Sequence, residues 1–464
     1  MFNLKIGVVA TATLFLISSC ERNETTDENL QRNTTTRNEG ACSQSSINYR
    51  ALYSKHHTIS IGEAAELADG ATKKLLDENE LRNGRNRELY NVQIITKEKS
   101  ELRSSEHFAM PDTLAYVFNY ADSAGFAMVC ADDRVPCPVL ACVENGALNL
   151  SEDVENPGLA IFLECAQNYM ENAIEQFEIQ KDSLEELAKN EIKEQPKESL
   201  RKVYTGSYEI VLDDTIVGPL LGTAWGQQDP YNKEVPLCSS NTSKHCKVGC
   251  WAVAVGQTIA FHKHPKDIDG VIYPYTSIRK KKHLSSNDNY LYKIPPLLSS
   301  IGKHIDMNYG CDDSGADVND VVNWLRKVGY EVVSSKYSWD VVKRQLNLKH
   351  PVLMHGKRNK VKFLGITWGY TKGHAWVLDG YKRTKTQHET YRVDTGKGTY
   401  EITSSTTNYI NNYLHINWGW DGENNGYFAE GCFDVQAFIN LDEGSRHYYE
   451  WNYKYEKEII LLAK

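Results

Sequence analysis

The stretch KVGCWAVAVGQTIAFHKHP, Lys247 to Pro265, sets a cysteine behind a glycine at the head of a run that reads as a buried helix. Apolar residues from Trp251 to Phe261 nearly circle the helical wheel, the pattern of a helix inside a core. The first turn of such a helix points free N–H groups and a positive dipole end at the side chain standing there. Both would lower a thiol pKa and favour the reactive thiolate. Buried free cysteines are also ordinary core residues. From this stretch alone Cys250 reads as a packed thiol, a metal ligand, a disulfide half or a nucleophile.

A thiolate nucleophile needs a base, and the apolar strand GHAWVLDGY, Gly373 to Tyr381, offers His374. The two-residue period of a strand predicts His374, Trp376 and Leu378 on one face and Ala375, Val377 and Asp379 on the other, so Asp379 is badly placed to orient His374. A core histidine is the alternative, although Gly373 permits close backbone approach to a ligand. HINWGWDGENNGYF, His415 to Phe428, supplies Asn417, an amide able to orient an imidazole without a second buried charge, and Trp418 to shield that bond. A capped turn among core tryptophans explains the same residues. TAWGQQDPYN, Thr223 to Asn232, supplies Gln227, and less favourably Gln228, as a side-chain donor that would share an oxyanion with the Cys250 N–H.

Cys238, His245, Cys246 and Cys250 lie close enough in sequence to suggest zinc, but their spacing fits no regular knuckle and a helix-opening cysteine points away from a loop cage. No metal and no organic cofactor is expected. Net charge is −9 with no Lys/Arg stripe among aromatics, which argues against a nucleic-acid partner. The eleven cysteines could suggest a disulfide framework, and Cys130, Cys137 and Cys142 are spaced for single bridges. Parity opposes a complete framework once Cys20 and Cys250 are set aside.

The N-terminus, MFNLKIGVVATATLFLISSC, carries an apolar run too short to span a bilayer and ends in I-S-S-C. It resembles a bacterial lipobox, with 1–19 as signal peptide and Cys20 as the lipidated residue. Residues 20–48 are polar and read as a disordered tether. ISIGEAAELADGATKKLL predicts a helix; TLAYVFNY, FAMVC and PVLACVENGALNL predict hairpins of a small antiparallel sheet. Asn156-Pro157 opens a long helix whose later, charged part should be solvated, with Asn as cap and Pro in first position. An exposed junction is expected near 195–202, dividing an N-terminal unit (49–202) from a unit rich in Trp, Tyr and Gly (203–464).

The order Gln, Cys, His, Asn resembles papain-like peptidases, although Cys246 and Cys250 stand four positions apart rather than three. PLLGTAWGQQDPYN, the VGCWAVAVGQTIAFHKHP stretch, NYGCDDSGADVNDVVNWLRKVGY, PVLMHG with GHAWVLDGY, and NWGWDGENNGYF are together similar to the streptopain family of bacterial cysteine peptidases. Trp251 departs from it, where a smaller apolar residue is expected. TLAYVFNYADSAGFAMVCADDRVPCPVLACVENGAL resembles that family's inhibitory propeptide. The resemblance implies an α+β fold, a papain-like catalytic domain whose helical part carries Cys250 and whose antiparallel sheet carries His374 and Asn417, behind a small α+β propeptide. It implies Cys250 as nucleophile paired as thiolate with a His374 imidazolium, Gln227 at the oxyanion, Asn417-Trp418 beside the histidine, and Ser314 and Gly373 near substrate. Protein substrates, the chain's own prodomain as inhibitor and, through Cys20, the bacterial envelope membrane are the expected partners. A silent surface-binding lipoprotein and a cysteine amidase or transferase on the same scaffold are the alternatives.

Overall fold

Residues alternating between two apolar layers build most of the molecule. The computed structural model describes residues 48, 51–52, 54, 56–76, 87–96, 111–193, 208–356, 361–363, 366–369, 373–390, 405–434 and 457–463. The leader, Cys20, nearly all of the tether and the 195–202 junction lie outside them.

In the N-terminal part, helix α1 (Ile61–Leu76) buries Ala64, Leu67, Ala68, Ala71 and Leu75, one face at helical spacing. It packs on an antiparallel run of strands, β1 (Leu89–Thr96), β2 (Thr113–Tyr120), β3 (Phe126–Cys130) and β4 (Val139–Val143), of which the hairpin pattern predicts β2, β3 and β4 and not β1. Helix α2 (Pro157–Lys193) starts where expected: the Asn156 side-chain oxygen accepts from the N–H groups of Gly158 (3.0 Å) and Leu159 (3.4 Å).

The C-terminal part runs β5 (Tyr208–Val217), α3 (Cys250–His262), α4 (Ile294–His304), α5 (Val318–Lys327), β6 (Glu331–Lys336), α6 (Trp339–Asn347), β7 (Val352–Gly356), β8 (His374–Thr390), β9 (Ser405–Asn417), β10 (Gly426–Ala429) and β11 (Lys457–Ala463). These strands extend the first four into one antiparallel sheet ordered β1-β2-β3-β4-β10-β9-β8-β7-β11-β6, with β5 also on β8. The join is β4 on β10, where Ala141, Cys142 and Val143 face Phe428, Tyr427 and Gly426. The fold is therefore α+β, with no break in the sheet between the two parts.

The faces of the sheet serve different cores. Trp376, Leu378, Val352, Met354 and Ile459 point into a core shared with α1 and α2, whereas Ala375, Val377, Leu353, Ile460 and Leu462 point into a core built around α3 and α4. The alternation predicted for GHAWVLDGY is the one observed. The paired spacing of Cys130, Cys137 and Cys142 is a different matter: the three are buried and not bridged to one another, with Cys130 and Cys137 bonded to nearby carbonyls and Cys142 to Thr72. Among the described residues the bridge formed is Cys238–Cys311.

Candidate active site

Cys250 opens α3 as its sequence predicts. Its cap, Gly249, has φ 94°, a left-handed backbone suited to glycine, and a Cβ there would sit 2.6 Å from the Met307 side chain. The Ser314 carbonyl lies on the same side of Gly249, and the Ser314 hydroxyl, buried, accepts from the Gly310 N–H at 3.0 Å. Gln227 is also buried, and its backbone carbonyl accepts from Val248 N–H at 2.9 Å, which places residue 227 beside the turn leading into the cysteine. Gly373, φ 145°, directly precedes β8. Trp251 finds its reason here: its ring packs 5.2 Å from the His355 ring of β7, and that imidazole meets Glu458 at 3.2 Å.

His374 begins β8 on the Trp376 face, the face covered by α2. Cys250 belongs to the core on the other face, where its sulfur takes a hydrogen bond from the Ala375 backbone N–H. Among the described residues no hydrogen bond joins Cys250 to His374. The His374 Nε2 instead donates to the Trp418 carbonyl at 2.8 Å, which leaves the lone pair on Nδ1. Trp376 (6.1 Å, stacked) and Trp420 (6.3 Å, edge) flank the ring, and Lys247 stands 4.9 Å over Trp420.

The electrostatics reverse the sequence expectation for both residues. Burial pushes the Cys250 thiol up to about 12, and nearby Asp313 adds to it; the N–H groups of Ala375, Trp251 and Cys250 itself pull the other way but are outweighed. Burial also takes His374 down to about 4, with Lys247 acting in the same direction against the Trp418 carbonyl. In this state the two residues are a neutral thiol and a neutral imidazole, not an ion pair. The helix-head stabilisation is present, but dehydration of the thiolate is the larger effect.

The cover over His374 comes from the N-terminal part, whereas Cys250 is buried by the core around α3 and α4. A Cβ on Gly158, in the first turn of α2, would lie 2.2 Å from Trp418 Cε3 and 2.9 Å from His374 Cδ2, so the helix backbone rests directly on both rings. Asn156 holds that turn to the 423–424 loop, donating to the Glu423 carbonyl (3.3 Å) and the Asn424 side chain (3.4 Å). A second clasp lies one sheet register away: His415 bonds Asp379 (2.5 Å) and Glu144 of the N-terminal part (3.1 Å). These carboxylates, against the opposing pull of burial, hold His415 up at about 10, and His415 draws Glu144 down to about 2 despite its burial.

Asn417 does not hold the imidazole. Its Nδ2 donates to the Thr223 carbonyl (2.7 Å) and its Oδ1 accepts from Gln257 (3.2 Å) and Gly419 N–H (3.1 Å). Gln257 also accepts from Trp225 N–H at 3.0 Å. The pair thus ties the end of β9 to α3 and to the segment leading to Gln227, and fixes the Trp418 carbonyl that does hold the ring. Gln257 was not among the expected residues; its signal was a fully buried amide inside an otherwise apolar helix.

Residues 225–428 match the Peptidase C10 family and residues 56–170 match the Spi protease inhibitor family. Streptopain of Streptococcus pyogenes is 23% identical over 367 residues, 69% of this chain and 75% of that protein. Residues 225–428 are a streptopain-type cysteine peptidase segment behind an inhibitor segment. A thiol protease/hemagglutinin, PrtT of Porphyromonas gingivalis, is 23% identical over 354 residues, covering 68% of this chain and 34% of that one. A prointerpain A fragment of Prevotella intermedia aligns with 80% of this chain and 98% of its own at TM-score 0.44 and 20% identity. The family match divides the site as the geometry does. Cys250, His374, Gln227 and Asn417-Trp418 all fall within the peptidase segment, whereas Gly158 and Glu144, which bear on it, fall within the inhibitor segment.

Proposed function

We propose that this chain is the exported, lipid-anchored precursor of a cysteine endopeptidase, held silent by its N-terminal unit and activated by losing it. The observation that carries the reading is the placement of Gly158 on His374 while the Cys250 sulfur meets Ala375 from the core on the other face of β8: base and nucleophile sit on opposite faces of one strand and are uncharged. Removing α2 uncovers and rehydrates His374 and frees its imidazole to reach the thiol. His374 then takes the Cys250 proton, and the thiolate attacks the scissile carbonyl. The Gln227 side chain and Cys250 N–H receive the oxyanion, and His374 protonates the leaving amine. Water hydrolyses the acyl-enzyme with the same base. Ser314 and Gly373 line the approach to the sulfur and bind substrate backbone, with Trp418 as a wall of the site.

The lipobox at Cys20 supports membrane attachment before processing. Several acyl chains would supply roughly 0.8 kcal/mol per buried methylene, and cleavage of the pro-unit would release the catalytic part from that anchor. Purified precursor incubated with casein should cut itself between about residues 195 and 219 and then degrade casein, and prior alkylation should stop both. Mass spectrometry of the fragments reads the new N-terminus and any acyl mass on Cys20. Casein left intact by a self-cleaved chain would refute a general endopeptidase, and an unmodified Cys20 in precursor from the native cell would refute the anchor.

A further inference from the structure

Three sulfurs outside the catalytic pair converge beside it. Cys238, Cys246 and Cys311 lie with their sulfur atoms all within 4.8 Å of one another. A disulfide uses two of them, Cys238 and Cys311; Cys246 is a buried free thiol against that bridge. Backbone hydrogen bonds, not the bridge alone, bring the three together. Cys238 N–H donates to the Lys244 carbonyl and Cys246 N–H to the Pro236 carbonyl, each at 2.8 Å, which sets 238 and 246 side by side. Lys247 N–H donates to the Gly310 carbonyl (3.1 Å), and Asn308 and Gly315 pair across the loop that carries Cys311. Ser240 Oγ lies 3.3 Å from the Cys311 sulfur.

We propose that Cys238, Cys246 and Cys311, once the bridge is reduced, form a trithiolate site for Zn²⁺. Tetrahedral zinc with bonds of about 2.3 Å sets its thiolates about 3.8 Å apart, so sulfurs already within 4.8 Å need small side-chain movements. Ser240 or water supplies the fourth position, and the half-exposed Cys311 gives a route of entry. The chemistry balances simply. A dithiol reductant gives two electrons to the S–S bond and closes its own disulfide, leaving thiols on Cys238 and Cys311; zinc then displaces the three thiol protons. The metal would clamp the 237–249 turn to the 308–315 loop, whose Ser314 carbonyl faces Gly249. Reducing conditions that keep Cys250 usable would exchange one crosslink beside it for another. His245 and Cys250 are not part of it: the ligand atoms within 4.8 Å of one another are those of Cys238, Cys246 and Cys311, and the Cys250 sulfur, at the head of α3, is bonded to the Ala375 N–H. Cys311, remote in sequence, takes their place.

The test uses full-length Cys250→Ala precursor, which has no nucleophile to bind metal or cut the chain. After reduction with dithiothreitol, loading with Zn²⁺ and desalting, it should retain about one zinc per chain, and Co²⁺ in its place should give a thiolate charge-transfer band. Adding Cys246→Ser should lower retention at least about tenfold while leaving the Cys238–Cys311 bridge able to form on reoxidation, which controls for folding. No zinc retained by the reduced protein, or equal retention with and without Cys246, overturns the site.

Discussion

Precursor carrying Cys250→Ala is expected to remain full length and to leave casein uncut, a loss on the order of 10⁴-fold or more in turnover. His374→Ala should fall nearly as far, because nucleophile and base act as a unit and removal of either idles the other. The measurement is hydrolysis of a fluorogenic peptide after each variant has been freed of its pro-unit by active enzyme added in trans and then removed. Both side chains are buried in the precursor, and deletion of either trims a core, so thermal unfolding of each variant should accompany the assay. Casein cleavage retained by Cys250→Ala would place the chemistry at another residue. Retention by His374→Ala alone would mean a different base, for which His355, paired with Ala375 across β7 and β8 and packed on Trp251, is the candidate.

Gly158→Leu is the second large effect, and it should raise activity rather than lower it. A Cβ at 158 falls 2.2 Å from one indole carbon and 2.9 Å from His374 Cδ2, inside any real contact distance. Overpacking of this kind typically costs about 1–3 kcal/mol, and here it falls only on the state in which α2 covers the site. Spontaneous maturation should therefore quicken by roughly 5- to 150-fold, read as the half-time for disappearance of the full-length band. The matured enzyme lacks residue 158, so its kcat/KM should equal that of the parent, which separates release of inhibition from a change in the catalytic unit. Unchanged or slower maturation would show that the α2 contact with the rings is not what restrains the enzyme.

Much of this was legible in short-range pattern. The apolar run after Cys250 gave a buried helix with the cysteine at its head, TLAYVFNY with FAMVC gave neighbouring antiparallel strands, and the alternation of GHAWVLDGY gave the two faces of β8 correctly. Those features depend on contacts within a few residues or across one turn. What the pattern could not show depends on which face meets which partner. Placing His374 with Trp376 was right, but nothing local says that this face receives α2 while Cys250 lies opposite. Asn417 had the right chemistry to orient an imidazole, yet its amide is satisfied by Gln257 and Thr223, from segments far away in the chain. The lowered thiol pKa expected from a helix head failed because dehydration is set by tertiary cover, which the core around α3 and α4 provides for Cys250 as Gly158, in the first turn of α2, does for His374. His262 and His264 likewise serve tertiary contacts, with the Tyr330 hydroxyl and the Val328 carbonyl.

The central claim is that the N-terminal unit, by covering His374, keeps it from pairing with Cys250 so that both stay neutral, and the pH dependence of Cys250 alkylation tests it most directly. In the covered state Cys250, raised from 9.0 to about 12, favours packing below pH 9 and loses that contribution as pH rises toward 12. His374, lowered from 6.5 to about 4, favours packing above pH 6.5 and loses its contribution as pH falls through about 4. Brief iodoacetamide pulses, followed by mass spectrometry of the Cys250 peptide from the full-length band and from processed enzyme, report both states. The account predicts slow labelling of the precursor that climbs about tenfold per pH unit past pH 9 without levelling, and fast labelling of the processed enzyme with a plateau through neutral pH. Identical profiles before and after processing, or a neutral-pH plateau already present in the precursor, would contradict it.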